Sequence, residues 1–173
     1  MTLLKATVTQ LIMRQPPRGP LPWPDDGCRY DLVRVEAIPL DYYRYLYDAV
    51  GRPHHWTSRH MPDDRLSREI HADPVRIHVL YGNGAPAGWF ELDVHPEVRE
   101  TRIVHFAILP DFRGRRLAAP LLSQAVQAGF ESNPTVLSLE TNNLDHPAAL
   151  PLYIKGGFEP VGTREVLTPA LKD

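Results

Sequence analysis

Pro16, Pro17, Pro20, Pro22 and Pro24 crowd one short stretch near the start of the chain. Each proline lacks a backbone N–H and has a fixed φ, so this stretch can be neither regular helix nor central strand. It reads as a loop carrying Trp23, set between two alternating segments, 4–14 and 29–37, that read as strands. Pro39 then opens a helix to about Val50 that carries Tyr42, Tyr43, Tyr45 and Tyr47, and 51–62 reads as a loop. A short helix follows, with Asp63 or Asp64 as its cap, and ends near His71.

Hairpin signals come next. Residues 76–81 read as a strand, Gly82-Asn83-Gly84 as a tight turn, 86–95 as the returning strand and 101–109 as another. Leu117, Leu121, Leu122, Ala125 and Val126 recur at helical spacing, which predicts a helix over 114–130. A strand at 135–140 follows. Asp145 is expected to cap a helix through Lys155, ended by Gly156-Gly157, with a last strand at 158–166. Antiparallel strands followed by β-α-β and α-β units predict a mixed α/β fold. It has one central, mostly antiparallel twisted sheet flanked by helices, with an extra N-terminal strand.

The 173 residues suit a single domain, 1–173, with 1–28 as the N-terminal strand plus Pro-rich loop. An apolar share of 43% supports a real core. A formal charge of -2 argues against a whole-domain grip on nucleic acid or anionic membrane. Cys28 stands alone, so no intrachain disulfide is expected. Residues 1–14 alternate rather than run apolar, and no stretch is long enough to span a bilayer. The chain is therefore expected in the cytoplasm, without nucleic acid or membrane as partner. His54, His55 and His60 match no usual zinc spacing, so no metal is expected.

The chemistry concentrates where a strand gives way to a helix, at Ile108-Leu109-Pro110-Asp111-Phe112-Arg113-Gly114-Arg115-Arg116-Leu117-Ala118-Ala119. A helix start offers unpaired N–H groups and partial positive charge, which together stabilise a phosphate. Gly114, Ala118 and Ala119 are small enough for close backbone approach, and Arg113, Arg115 and Arg116 add charge. On composition alone, a solvated basic turn that binds nothing is the competing reading.

The segment PDFRGRRLAAPLL resembles the coenzyme A motif of the GNAT acetyltransferases, and ALPLYIKGGF downstream resembles the same family's Leu-Tyr…Gly-Phe segment. The two occur in the family's order, and the resemblance covers about 76–164, read as the coenzyme-binding core. It implies an N-acetyltransferase that moves an acetyl group from acetyl-CoA to a primary amine by direct attack on the thioester. It also implies that the strand ending at Ile108 and Leu109 splays from its neighbour and pairs with the pantetheine arm. Arg113 to Ala119 would hold the pyrophosphate, with Asn142 and His146 nearby. Arg116 stands at the family's central glycine, where an arginine is permitted if φ stays negative, and its guanidinium can itself reach phosphate. Pro151 is expected to kink the last helix.

Transfer from a thioester to an amine needs a base, an oxyanion donor and an acid for the leaving thiolate. By resemblance Tyr153 is that acid, against the alternative of a tyrosine half-buried on the sheet. For the base, alternation places Trp89, Glu91 and Asp93 on one face of their strand. Glu91 is one candidate and a solvent-facing carboxylate its alternative; His105 on the next strand is the rival, with a core histidine bonded to backbone as its alternative. The resemblance makes 51–62 the roof of the acceptor cleft, lined by His54, His55 and Trp56, with Trp89 also assigned to the acceptor. The acceptor is a small-molecule or peptide amine, and a homodimer is left open. Arg116, His146 and Pro151 favour a second reading, a non-catalytic acyl-CoA sensor. The Pro-rich loop favours a third, an interaction module docking through polyproline II.

Overall fold

The computed structural model describes residues 1–172. Strand β1 (Leu3–Met13) leads into the Pro-rich loop and a short β2 (Tyr30–Arg34). Helices α1 (Leu40–Gly51) and α2 (Asp63–Ile70) flank the loop 52–62. Then come β3 (Val75–Gly82), β4 (Ala85–His95), β5 (Glu100–Ile108), α3 (Ala118–Phe130), β6 (Val136–Asn142), α4 (Ala149–Lys155) and β7 (Glu159–Pro169). The strands form one seven-stranded sheet in the order β2-β3-β4-β5-β6-β1-β7. All neighbours are antiparallel except β5 and β6. Among the described residues no helix is long and apolar enough to cross a membrane.

The sheet buries both faces, because its strands alternate two sets of apolar side chains. Phe90, Leu92, Ile103, Leu121, Leu122 and Leu139 pack in one core with α3 and α4. Tyr43, Leu46, Tyr47, Leu66, Val79 and Trp89 pack in the other with α1 and α2. The N-terminal strand is not an appendage. It lies between β6 and β7, pairing with both, and sends Leu11 and Met13 into the α3 core.

One irregularity shapes the site. Opposite Glu91 and Leu92 of β4 stand His105 and Ile103 of β5, so Val104 is an extra residue, a β-bulge. A bulge bends its strand and ends regular pairing. The pairing of β5 with β6 accordingly stops at Ile103↔Leu139, while its pairing with β4 continues to Ile108. Beyond the bulge the two parallel strands part, and one edge of 104–108 has no sheet partner.

Several local expectations are corrected. Helix α3 starts at Ala118, not Gly114, after an irregular turn. Pro62, without a side-chain bond, precedes α2, so neither Asp63 nor Asp64 caps it. Asp145 does not cap α4; its Oδ2 accepts from Thr141 Oγ1 and Asn142 N–H at the end of β6. Pro151 falls in the first turn of α4, and Pro120 in that of α3, where the missing N–H would have had no helical partner anyway.

Candidate active site

Two clefts meet at the parted strands. The larger, about 540 Å³, is mostly apolar and runs from the free edge of β5 to the start of α3 and the side of α4. Phe106, Ala107 and Ile108 line it on the sheet side, and Arg113, Gly114, Arg116, Leu117 and Ala118 at the turn. The smaller, about 290 Å³, is more polar and reaches Arg102, His105, Glu140 and Ser58. His54, Trp56, Phe106, Asp145 and Tyr153 line both.

The turn before α3 is built for an anion. Gly114 has φ 78° and Arg116 φ 60°, both left-handed, which coils the backbone tightly ahead of the helix. The condition that φ stays negative at Arg116 is thus not met. Among the described residues, the N–H groups of Gly114, Arg116, Leu117, Ala118 and Ala119 have no hydrogen-bond acceptor in the protein. Such donors at a helix start suit a diphosphate. An open strand edge leading from them to Tyr153 suits an amide-bearing arm. The residues present therefore fit coenzyme A.

The expected coenzyme contacts divide. Ile108, Arg113, Gly114, Arg116, Leu117, Ala118 and His146 line the larger cleft. Leu109 does not: it is buried in the α1 core and its N–H is bonded to Ala87 O. Arg115 lies over the Phe112 ring, 4.7 Å from its centroid, and Ala119 is outside the lining. Asn142 belongs to the smaller cleft instead, its Oδ1 accepting from Leu144 N–H.

The acceptor-side residues also divide. His54 Nδ1 lies 2.9 Å from Leu144 O, and Trp56 Nε1 donates to Asp145 Oδ1 at 3.0 Å, so the 52–62 loop is fastened over the junction. His55 lines the smaller cleft, with Nδ1 accepting from Leu171 N–H. Trp89 is wholly buried against Tyr43 and cannot touch an acceptor. Arg102, Glu140 and Asp145 were missed. Arg102, near the start of β5, and Glu140, near the end of β6, meet only through the long-range β5–β6 pairing, which local sequence does not show.

Glu91 is neither solvent-facing nor open to an acceptor; it is fully buried. Its Oε1 accepts from Tyr43 OH at 2.5 Å, its Oε2 accepts from Arg59 Nη2 at 2.5 Å, and His105 Nδ1 lies 3.3 Å from Oε1. Burial pushes its carboxyl up, but His105, Arg59 and Tyr43 outweigh this and bring it down to about 2. A carboxylate only accepts, so its bond with His105 requires the proton on Nδ1 and leaves a lone pair on Nε2 of the neutral ring. His105 is thereby held to a side chain, not to backbone, and lines the smaller cleft. Glu140 faces the same cleft but accepts two bonds from Arg164 at 2.8 Å, which hold its carboxyl below the usual range. Burial, with the Asp145 charge, pushes the Tyr153 hydroxyl well above its ordinary value, so it keeps its proton at neutral pH.

A phosphate-type turn, an open strand edge and a polar cleft joined to them at a buried tyrosine form the architecture of an acyltransferase using a coenzyme A thioester. The sequence matches the profile of the acetyltransferase (GNAT) family over residues 36–158. A protein of Bacillus subtilis (strain 168), provisionally named a ribosomal protein bS18-alanine N-acetyltransferase, is 38% identical over 138 residues, 77% of this chain and 82% of that protein. The chain belongs to the GNAT acetyltransferase family, whose members transfer acetyl from acetyl-CoA to an amine. A Novosphingobium aromaticivorans structure described as a GNAT-family acetyltransferase superposes with a TM-score of 0.63 at 22% identity, covering 95% of this chain and 64% of that one. An aminoglycoside N-acetyltransferase solved with CoA gives 0.56 at 20%, covering 78% and 91%. The chain thus spans under two thirds of the Novosphingobium chain, and both structural likenesses concern the fold.

Proposed function

We propose that this chain acetylates the terminal α-amine of a peptide or protein, with His105 as base and Tyr153 as acid. The meeting of an apolar and a polar cleft at Tyr153 carries the reading. Acetyl-CoA would be held by the 113–118 turn and the 104–108 edge, and supplies the acetyl thioester. His105 Nε2 takes a proton from the ammonium as the amine enters from the polar cleft, directly or through one water. Tyr153 OH gives its proton to the departing thiolate. Trp56 and His54 close the junction from above. A polar cleft of about 290 Å³ lies at the low end of ligand-pocket sizes. It favours the end of a chain over a large polycation. The name of the Bacillus subtilis relative supports an α-amine beside a small side chain as the acceptor. The cytoplasm is the compartment we assign, on the likeness to this bacterial protein.

The test is thiol release from acetyl-CoA with matched peptides: free N-terminal alanine, the same peptide Nα-blocked, and one offering only a lysine amine. Turnover with the first alone supports the reading; equal rates with the lysine peptide overturn it. Tyr153→Phe removes only the hydroxyl. It is expected to lower kcat by roughly 10²–10⁴-fold with acetyl-CoA affinity nearly intact. An unchanged kcat would remove Tyr153 from the chemical step.

A further inference from the structure

The mechanism uses His105 and the carboxylate behind it, but not the arginine behind both. Arg59 sits in the acceptor loop, yet its side chain is only 14% exposed. Its Nη2 donates to Glu91 Oε2, its Nη1 to Glu69 Oε2 on α2 at 2.6 Å, and its Nε to Tyr43 OH on α1 at 3.2 Å. Four elements are thus tied through one guanidinium. Ser58, the preceding residue, lines the acceptor cleft and lies 3.1 Å from Tyr47 OH. The carboxylate serves both sides: Oε2 accepts from Arg59, and Oε1, which accepts from Tyr43, also accepts from His105.

We infer that Arg59 is a positioning residue for the base: it neutralises Glu91 on the side away from His105 and so couples the seat of the acceptor loop to the charge on the imidazole. The inference rests on the reading of His105 as base. A lone buried carboxylate beside a histidine favours the imidazolium, which cannot accept a proton from the acceptor. A cation fixed on the far oxygen offsets that pull and leaves His105 free to work as a neutral base. The other groups around the pair are Tyr43 and Tyr47 from α1, Trp56 and His60 from the loop, and Trp89 from β4. Glu69 reaches it only through Arg59. Of these only Tyr43 bonds Glu91; His60 pairs with Asp48, and Arg102, the cation in the cleft of His105, pairs with Glu140.

Two substitutions should therefore act in opposite directions on one imidazole. In the ligand-free protein, the titration of His105 followed by NMR should move up by about 1 pH unit in Arg59→Met and down by about as much in Glu91→Gln. Arg59→Lys should restore most of the wild-type midpoint. Arg59→Met with Glu91→Gln removes the pair together and leaves no unmatched buried charge. It keeps the test open if Arg59→Met alone fails to fold, and should titrate above Glu91→Gln, toward the wild-type midpoint; a midpoint equal to that of Glu91→Gln overturns the coupling. Midpoints that move the same way, or Arg59→Met unchanged, overturn the coupling. Steady-state rates then test the reading beneath it. If the acidic limb of kcat/KM follows the NMR midpoints, His105 is the base. If the midpoints separate while the limb stays put, the coupling stands and the base lies elsewhere.

Discussion

Arg116 holds a left-handed backbone, φ 60°, that a side chain with a Cβ adopts at a cost of about 1–2 kcal/mol. Arg116→Gly removes that cost but adds the chain entropy of glycine, about 0.5–1 kcal/mol. The net expectation is a protein about 0.5–1 kcal/mol more stable, a rise in Tm of roughly 1–4 °C by calorimetry. The same substitution deletes a cation from the phosphate turn, so acetyl-CoA affinity should fall. Stability up and affinity down would mark Arg116 as strained for binding; a fall in both would mean the guanidinium holds the turn together. The sequence carried half of this. The arginines and Gly114 identified the turn, and the motif identified its ligand. The sign of φ at Arg116 was not readable, because it depends on how the turn coils before Ala118, four residues later than the apolar spacing implied.

The loop between α1 and α2 is where an element, rather than a residue, sets function. It is fastened by His54 to Leu144, by Trp56 to Asp145 and by Arg59 to Glu91, so it bridges both sides of the acceptor cleft. Gly51 sits beneath it: a Cβ there would come within 2.5–2.7 Å of Trp56 side-chain atoms. Gly51→Ala should push the indole off Asp145 and loosen the roof. The acceptor's KM is expected to rise several-fold and by more than that of acetyl-CoA, because Trp56 borders both clefts while the 113–118 turn lines only the larger one. Equal effects on both would mean that the loop serves the coenzyme side as well. The loop's Trp and His residues were legible as pocket lining, as was the alternation that puts Glu91 on the face opposite Phe90 and Leu92. Trp89 shows the limit of that logic: it shares Glu91's face, yet α1 covers it completely. The bulge at Val104 was invisible too, since an extra residue in one strand is defined only by its partner's register.

At the scale of the whole molecule, a half-buried imidazole and a buried carboxylate set how the fold meets acid. His78 stacks on Phe90 at 4.6 Å in the α3 core, and burial, with Arg34 and Arg76 nearby, pushes its imidazole down from 6.5 to about 4. Glu91, on the opposite face of the same sheet, is brought from 4.5 to about 2. Both folded values lie below the unfolded ones, so in each case the unfolded chain binds the proton first and stability falls with falling pH. The His78 contribution is complete above about pH 6.5 and is lost as pH falls to about 4. The Glu91 contribution is complete above about pH 4.5 and is lost toward pH 2. The Glu91 displacement corresponds to about 3 kcal/mol, and that of the less enclosed His78 to less. Since β3 and β4 pair directly, with His78 opposite Phe90, the two losses fall on one cooperative sheet and should add. Urea unfolding at a series of pH values should therefore show ΔG declining in two overlapping stages. His78→Gln should flatten the stage between pH 6.5 and 4 and leave the lower one. Glu91→Gln should flatten only the lower stage, from a reduced starting stability. If His78→Gln leaves the slope between pH 6.5 and 4 unchanged, that proton uptake belongs to another group and the buried imidazole is not what acid attacks first.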